Sequence, residues 1–186
     1  MRDLIVTQNI TVDGVIDGSG GWFFPAEGEE QSDQDEMLEI LTRQRQAADA
    51  FLVGRVTFEE MRGYWPTLTD DTTGITAYLD DLQKYVVSST LEDPKWANTT
   101  VLRGTLEEDI RRLKANPGND IVTTGSITLV HALIPAGLVD EYRLFVYPTV
   151  LGRGRRLFTN AHIPQLRLEE VRSVGRDVSL LRYRTA

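Results

Sequence analysis

Cysteine is absent from all 186 residues, and that one absence removes disulfides, thiolate metal sites and cysteine nucleophiles together. A disulfide framework of the exported kind is excluded, and the expected location is a reducing cytoplasm. Histidine is nearly absent too: His131 and His162 stand apart in sequence, without metal-ligand spacing, so no metal site is expected. No run approaches the roughly 18 consecutive apolar residues of a membrane helix. Residues Met1–Asp3 lead directly into a short apolar segment and lack the charged and apolar regions of a signal peptide. Basic residues are outnumbered, 20 against 28 acidic, and the resulting net charge of -8 repels nucleic-acid phosphates. A nucleophile-elbow serine and a phosphate-loop lysine are both missing, which removes the serine hydrolase and P-loop hydrolase readings.

What remains is an ordinary globular composition, 41% hydrophobic and 26% charged, in a chain long enough for one sizeable core. Residues 4–10 are short and β-branched, and they run into Asp13-Gly14 and then Gly18, Gly20 and Gly21, so a strand feeding a long loop is expected. From Asp33 to Ala48 the apolar residues Met37, Leu38, Ile40 and Leu41 recur near a 3.6-residue period, which predicts an amphipathic helix. A strand over 50–54, a helix over 56–61, a helix over 75–83, a strand over 85–87, a helix over 106–115, a strand over 121–122 and a helix over 127–133 follow. Beyond Gly137 the pattern becomes three successive strands, 139–151, 166–174 and 176–184, joined by short turns. The alternation predicts a single three-layer α/β domain spanning 1–186. Its mixed sheet is mostly parallel, with antiparallel C-terminal strands and helices on both faces. Ligands of such sheets gather at the carboxyl ends of the strands.

Three strand-to-helix turns are placed there. Gly54-Arg55-Val56-Thr57 combines a glycine that lets backbone approach a phosphate, the free amides of a helix start, a cation and a hydroxyl. Ser88-Ser89-Thr90 sets hydroxyls directly after a strand. Thr123-Thr124-Gly125-Ser126 repeats the strand, glycine, hydroxyl and helix order. Each has a plainer reading as an ordinary turn or helix cap; three of them in one small domain favour a nucleotide site.

The order Gly54-Arg55-Val56-Thr57, Ser88-Ser89, Gly125-Ser126 resembles the NADPH-binding layout of dihydrofolate-reductase-like proteins. The stretch from Leu138 through Asp140, Glu141 and Tyr142 to Pro148, followed by Leu151-Gly152-Arg153-Gly154 and Leu157-Phe158, is similar to the bacterial riboflavin-biosynthesis reductases of the RibD C-terminal type. The resemblance covers nearly the whole chain. It implies that Arg55, Thr57, Ser88 and Ser89 surround the adenosine phosphate end of NADPH and that Gly125 and Ser126 meet its pyrophosphate, with Gly54 a further cofactor-binding residue. One departure stands out: where relatives carry a paired glycine or a preceding acid at the third turn, this chain has Thr124-Gly125-Ser126.

Substrate-side candidates come from the first loop and the acids near it. Asp13 through Trp22 looks like the family's mobile loop over nicotinamide and substrate, with Trp22 walling the site against water. Phe23 and Phe24 have the plainer role of loop packing. A carboxylate is wanted to supply a proton or orient a heterocycle, and Asp13, Asp33 and Asp35 are the candidates, Asp13 and Asp35 the preferred pair. The wider cluster Glu27, Glu29, Glu30, Asp33, Asp35 and Glu36 reads otherwise as a solvated loop and helix start. Among Arg153, Arg155 and Arg156, Arg153 is the candidate for a substrate phosphate.

Taken together these features predict an NADPH-dependent reductase of a small pterin- or pyrimidine-like heterocycle, similar to 5-amino-6-(5-phosphoribosylamino)uracil reductase. A nucleotide-binding sensor that has lost turnover on the same fold is the alternative. The alternating strand 142–150 offers a surface for a homodimer.

Overall fold

The computed structural model describes residues 1–24, 31–159 and 165–186. Glu27, Glu29, Glu30 and His162 lie outside the described residues. Eight strands form one sheet: β1 (Leu4–Thr11), β2 (Ala48–Gly54), β3 (Gln83–Val87), β4 (Thr99–Leu102), β5 (Asp120–Thr123), β6 (Glu141–Tyr147), β7 (Leu166–Val174) and β8 (Val178–Thr185). Five helices alternate with them: α1 (Gln31–Gln46), α2 (Arg55–Tyr64), α3 (Ile75–Asp81), α4 (Leu106–Ala115) and α5 (Ile127–Leu133).

The strand order is β4-β3-β2-β5-β1-β6-β8-β7. Pairings from β4 through β6 are all parallel, while β6 with β8 and β8 with β7 are antiparallel. This is the mostly parallel sheet with antiparallel C-terminal pairing that the sequence predicts, with two differences. The expected succession of three hairpin-linked strands is replaced by a sheet in which β8, the last in sequence, is inserted between β6 and β7. Strand β6 therefore pairs along both sides, with β1 and β8, and the free edges are β4 and β7. Over 141–147 the strand's own edges are taken within the sheet.

Period-2 alternation sends side chains to two separate cores. On β2, Ala50 and Leu52 pack with Leu4, Val6, Ile110 of α4 and Val130 of α5. Their neighbours Phe51 and Val53 pack on the opposite face with Phe58 of α2. Further along, Phe145 and Leu180 lie under Ile40 of α1. Helices thus cover both faces, as parallel strands require. Buried apolar side chains on both sides of β2 explain its continuous hydrophobic run.

Candidate functional site

A cavity of about 790 Å³ opens at the carboxyl ends of the parallel strands, within the size range of small-molecule and cofactor sites, roughly 300–1,000 Å³. Gln8 and Asn9 come from β1, Gly54 from β2, Val87 from β3 and Thr124 to Ser126 from the end of β5. Gly18, Trp22 and Phe23 close it from the β1 loop, and Arg155 reaches it from the segment after β6.

At its centre two strand-to-helix turns are bonded to each other. Gly54 is the N-cap residue of α2, in extended conformation, and no side chain caps the helix. In an α-helix the amides of the first turn lack intrahelical acceptors, so those of Arg55, Val56 and Thr57 remain available beside the cavity. The first turn holds no acid, which leaves the positive end of the helix unopposed. Arg55 is half-exposed and meets Glu59 only at 3.4 Å; exposed pairs of this kind are weak, leaving the guanidinium free to take an anion. Across from it, the Gly54 amide donates to Ser126 Oγ at 3.0 Å and the Ser126 amide donates to Thr57 Oγ1 at 3.1 Å. Gln8 Nε2 donates to the Gly125 carbonyl at 2.9 Å, tying β1 into the same knot. Gly125 has φ +62°, and a Cβ there would stand 3.3 Å from Thr57 Cγ2. The turn thus favours glycine for its conformation, and a side chain there would also press on Thr57.

The structure brings together Gly54, Arg55, Thr57, Gly125, Ser126 and Trp22 around the cavity. Other sequence candidates fall elsewhere. Ser88 and Ser89 follow Val87 but do not line the cavity: Ser88 Oγ accepts the amides of Thr90 and Leu91, at 3.2 and 3.0 Å, and stabilises a turn. Asp35 is exposed on α1, over Phe145 and Leu180 and away from the cavity. Arg153 is exposed on its glycine turn, and it is Arg155 that lines the cavity, with Nε 3.3 Å from Asp17 Oδ2. The segment is docked on the β1 loop by an isolated bridge between Val15 and Arg156 and by the Ile16 amide, which donates to the Arg155 carbonyl at 2.9 Å.

Trp22 is oriented by its own loop. Its indole Nε1 donates to the Asp17 carbonyl at 2.8 Å, and its ring meets Phe23 and Tyr147 edge-on at 5.3 and 5.6 Å. Phe24 is 68% exposed and packs within the loop, its ring 4.7 Å from that of Phe23.

Asp13 is a clamp outside the cavity lining. Its carboxylate accepts from Thr11 Oγ1 at 2.6 Å and from the Gly152 and Leu151 amides at 2.8 and 3.3 Å. The Thr11 hydroxyl bond, with burial opposing it and the two amides assisting, holds its pKa down at about 2, against an ordinary 3.8. A group ionised at neutral pH and saturated with donors is a poor proton source. It joins the β1 loop to the turn after β6, and its carbonyl accepts from Arg156 Nε at 3.0 Å. With its folded pKa below the unfolded value, Asp13 stabilises the fold above about pH 4, and that contribution is lost as pH falls toward about 2. Asp13→Asn should flatten the acid limb of Tm against pH in that window; an unchanged limb would show that the clamp does not depend on charge.

Gln8, Asn9 and Glu60 also line the cavity and were missed in the sequence, whereas Arg155 was weighed there and passed over for Arg153. The available signal was a polar pair, Gln8-Asn9, at the carboxyl end of an otherwise apolar strand. Among the described residues no group of three or more His, Cys, Asp or Glu could hold a metal, and no helix is long and apolar enough to cross a membrane.

Relatives place this geometry in a family. The protein is 32% identical over 162 residues to the uncharacterized protein YyaP of Bacillus subtilis (strain 168), covering 84% of this chain and 80% of that one. Its fold matches a Shewanella sp. PV-4 protein ascribed to riboflavin biosynthesis, with TM-score 0.71 and 17% identity over 100% and 99% of the two chains. A Thermotoga maritima diaminohydroxyphosphoribosylaminopyrimidine deaminase/5-amino-6-(5-phosphoribosylamino)uracil reductase matches with TM-score 0.65 and 15% identity; all of this chain covers 57% of that one. Residues 2–180 match the sequence model of the RibD C-terminal domain, and the chain belongs to that family.

Proposed function

We propose that the protein is an NADPH-dependent reductase of a small pterin- or pyrimidine-like heterocycle. The observation that carries this reading is the uncapped first turn of α2 opening beside Arg55 into the large cavity at the strand ends. Family membership supports it, as does the Thermotoga relative's name, which includes reduction of a substituted uracil.

The residues present fit a dinucleotide. The α2 amides and Arg55 offer donors and charge for phosphate oxygens, and the Thr57 and Ser126 hydroxyls, each accepting an amide, tie the two turns together beside them. When bound, NADPH supplies the hydride. Trp22 and Phe23 then exclude water from the β1 end of the cavity. Asn9 contributes a carboxamide, both donor and acceptor, to orient a heterocycle edge. Arg155 replaces Arg153 as the cation on the substrate side. Asp13 holds the loop that carries these groups and takes no part in proton transfer.

One observation favours the sensor alternative: Glu60 on α2 is the only carboxylate lining the cavity among the described residues. Binding without NADPH oxidation across pterin and pyrimidine substrates would select it.

Thermal unfolding with NADPH, NADH or neither tests the dinucleotide site. A ligand at 100 times its Kd adds about 2.7 kcal/mol, expected here as a Tm rise of roughly 5–10 °C. Arg55→Ala should weaken NADPH binding by about 10–100-fold, the worth of a charge-assisted hydrogen bond. No shift with either dinucleotide would sink the reading.

A further inference from the structure

Three non-glycine residues among those described have positive φ: Lys95, Asn98 and Ser126. Of these, Ser126 lines the cavity. Its φ of 40° and ψ of 48° place a side chain in left-handed backbone, which disfavours any residue with a Cβ. Such outliers persist where the surroundings over-determine them, and they cluster at functional sites. Glycine would relieve the conformation, and Ser126 is buried, so solubility gives no reason to keep a serine.

The reason lies in what the hydroxyl holds. Ser126 Oγ accepts the amide of Gly54, at the mouth of α2, and the Ser126 amide is received by Thr57 Oγ1, one turn inside the same helix. The two bonds run in opposite directions between the α2 and α5 turns. On the far side Gln8 fixes Gly125, the residue before Ser126. Gly54 carries no side chain to cap its own helix, and its amide finds an acceptor on the other turn.

We propose that Ser126 and Thr57 are a pair of positioning residues. Their crossed hydrogen bonds set the separation between the two helix-opening turns, and with it the spacing of the donors that receive a dinucleotide's phosphates. The inference rests on the NADPH reading above and adds to it a device that keeps backbone strain in exchange for a fixed site. A glycine at 126 would suit the backbone and loosen the site.

Fold and affinity should therefore separate. In fluorescence titrations with NADPH, at a temperature where every variant is folded, Ser126→Gly is expected to raise Kd about tenfold, as expected for one lost hydrogen bond. Its Tm should stay within about 3 °C of the unmodified protein, because relief of the left-handed conformation offsets the lost bond. Thr57→Val should weaken binding by a similar factor and Thr57→Ser by no more than about twofold, since the serine hydroxyl restores the acceptor. The double variant Ser126→Gly/Thr57→Val should bind about as well as either single variant, the signature of two groups acting as one unit. Unchanged affinity in Ser126→Gly, or strictly additive losses in the double variant, would overturn the brace while leaving the NADPH reading intact. Failure of the unmodified protein to bind NADPH would overturn both.

Discussion

Replacing Glu141 with alanine is expected to destabilise the protein by about 4 kcal/mol, within the 3–5 kcal/mol range for a broken buried ion pair. At this chain length that corresponds to a Tm fall of about 8–16 °C. Glu141 begins β6 and is 2% exposed, yet three arginines converge on it. Arg143 Nε lies 2.6 Å from Oε1, Arg182 Nε 3.0 Å from the same oxygen, and Arg184 Nη1 3.6 Å from Oε2. The outer ends of the group are held by Asp120 against Arg143, Glu170 against Arg182 and Asp3 against Arg184. Burial alone would raise the pKa of Glu141, but hydrogen bonds and charge from Arg182 and Arg143 outweigh it and the net shift is downward. The network thus stabilises the fold fully above the ordinary 4.5 and is lost as pH falls through the lowered folded value. In Glu141→Ala the almost fully buried Arg143 keeps only Asp120, 3.6 Å away. Urea or thermal unfolding measures the loss, and a change under about 1 kcal/mol would show that the surrounding acids compensate.

The second large effect is expected at Lys84, whose residue is fully buried in β3. Its ammonium donates to the carbonyls of Leu79 and Leu82, the latter at 2.8 Å, and reaches Asp80 O at 3.5 Å. It also sits 4.8 Å from the centroid of the Trp96 ring. These carbonyls end α3, so the lysine acts as a C-terminal cap supplied from the neighbouring strand. Lys84→Met keeps the side-chain volume and removes the donors. Two carbonyls left without their donor, at about 1–3 kcal/mol each, predict a loss of about 3 kcal/mol, or roughly 6–12 °C. The opposite end of β3 reaches the cavity at Val87. The NADPH-induced Tm rise should persist in this variant, and its disappearance would mean that α3 and the cleft are coupled.

Much of the architecture was legible because its signals are local. Helices α4 and α5 carry their buried residues at helical spacing and match the expected spans, and the glycine turns at 54 and 125 mark where strands give way to helices. Strand β4 was missed: Thr99–Leu102 has only four residues, too few for a periodic pattern, and its pairing with β3 is what orders it. The insertion of β8 was hidden for the same reason, since turn composition reveals a hairpin between β7 and β8 but not which strand meets β6. At the site, Gly54, Arg55, Thr57, Gly125 and Ser126 were readable from their turns. Arg155 was weighed beside Arg153 and Arg156 but not preferred, because its place at the cavity depends on contacts with the β1 loop, Asp17 among them, across a long sequence separation. Asp13 was recognisable as special but not for what it does: a loop carboxylate carries no mark in sequence telling a clamp from an acid catalyst.

Strand β8 also bears on how the chain reaches this state during synthesis. Strand β7 emerges before the strand that will hold it, and its entire pairing in the sheet is with β8. Until then β6 presents one side unpaired, with Phe145 not yet covered by Leu180, and β7 has no strand to hold it, so Val174, buried in the finished fold, stays uncovered. Open edges of this kind recruit other chains. Ribosomal pausing or truncation between Val174 and Val178 would therefore favour aggregation, and the hairpin that closes the sheet is the step at which a chaperone would have most to protect.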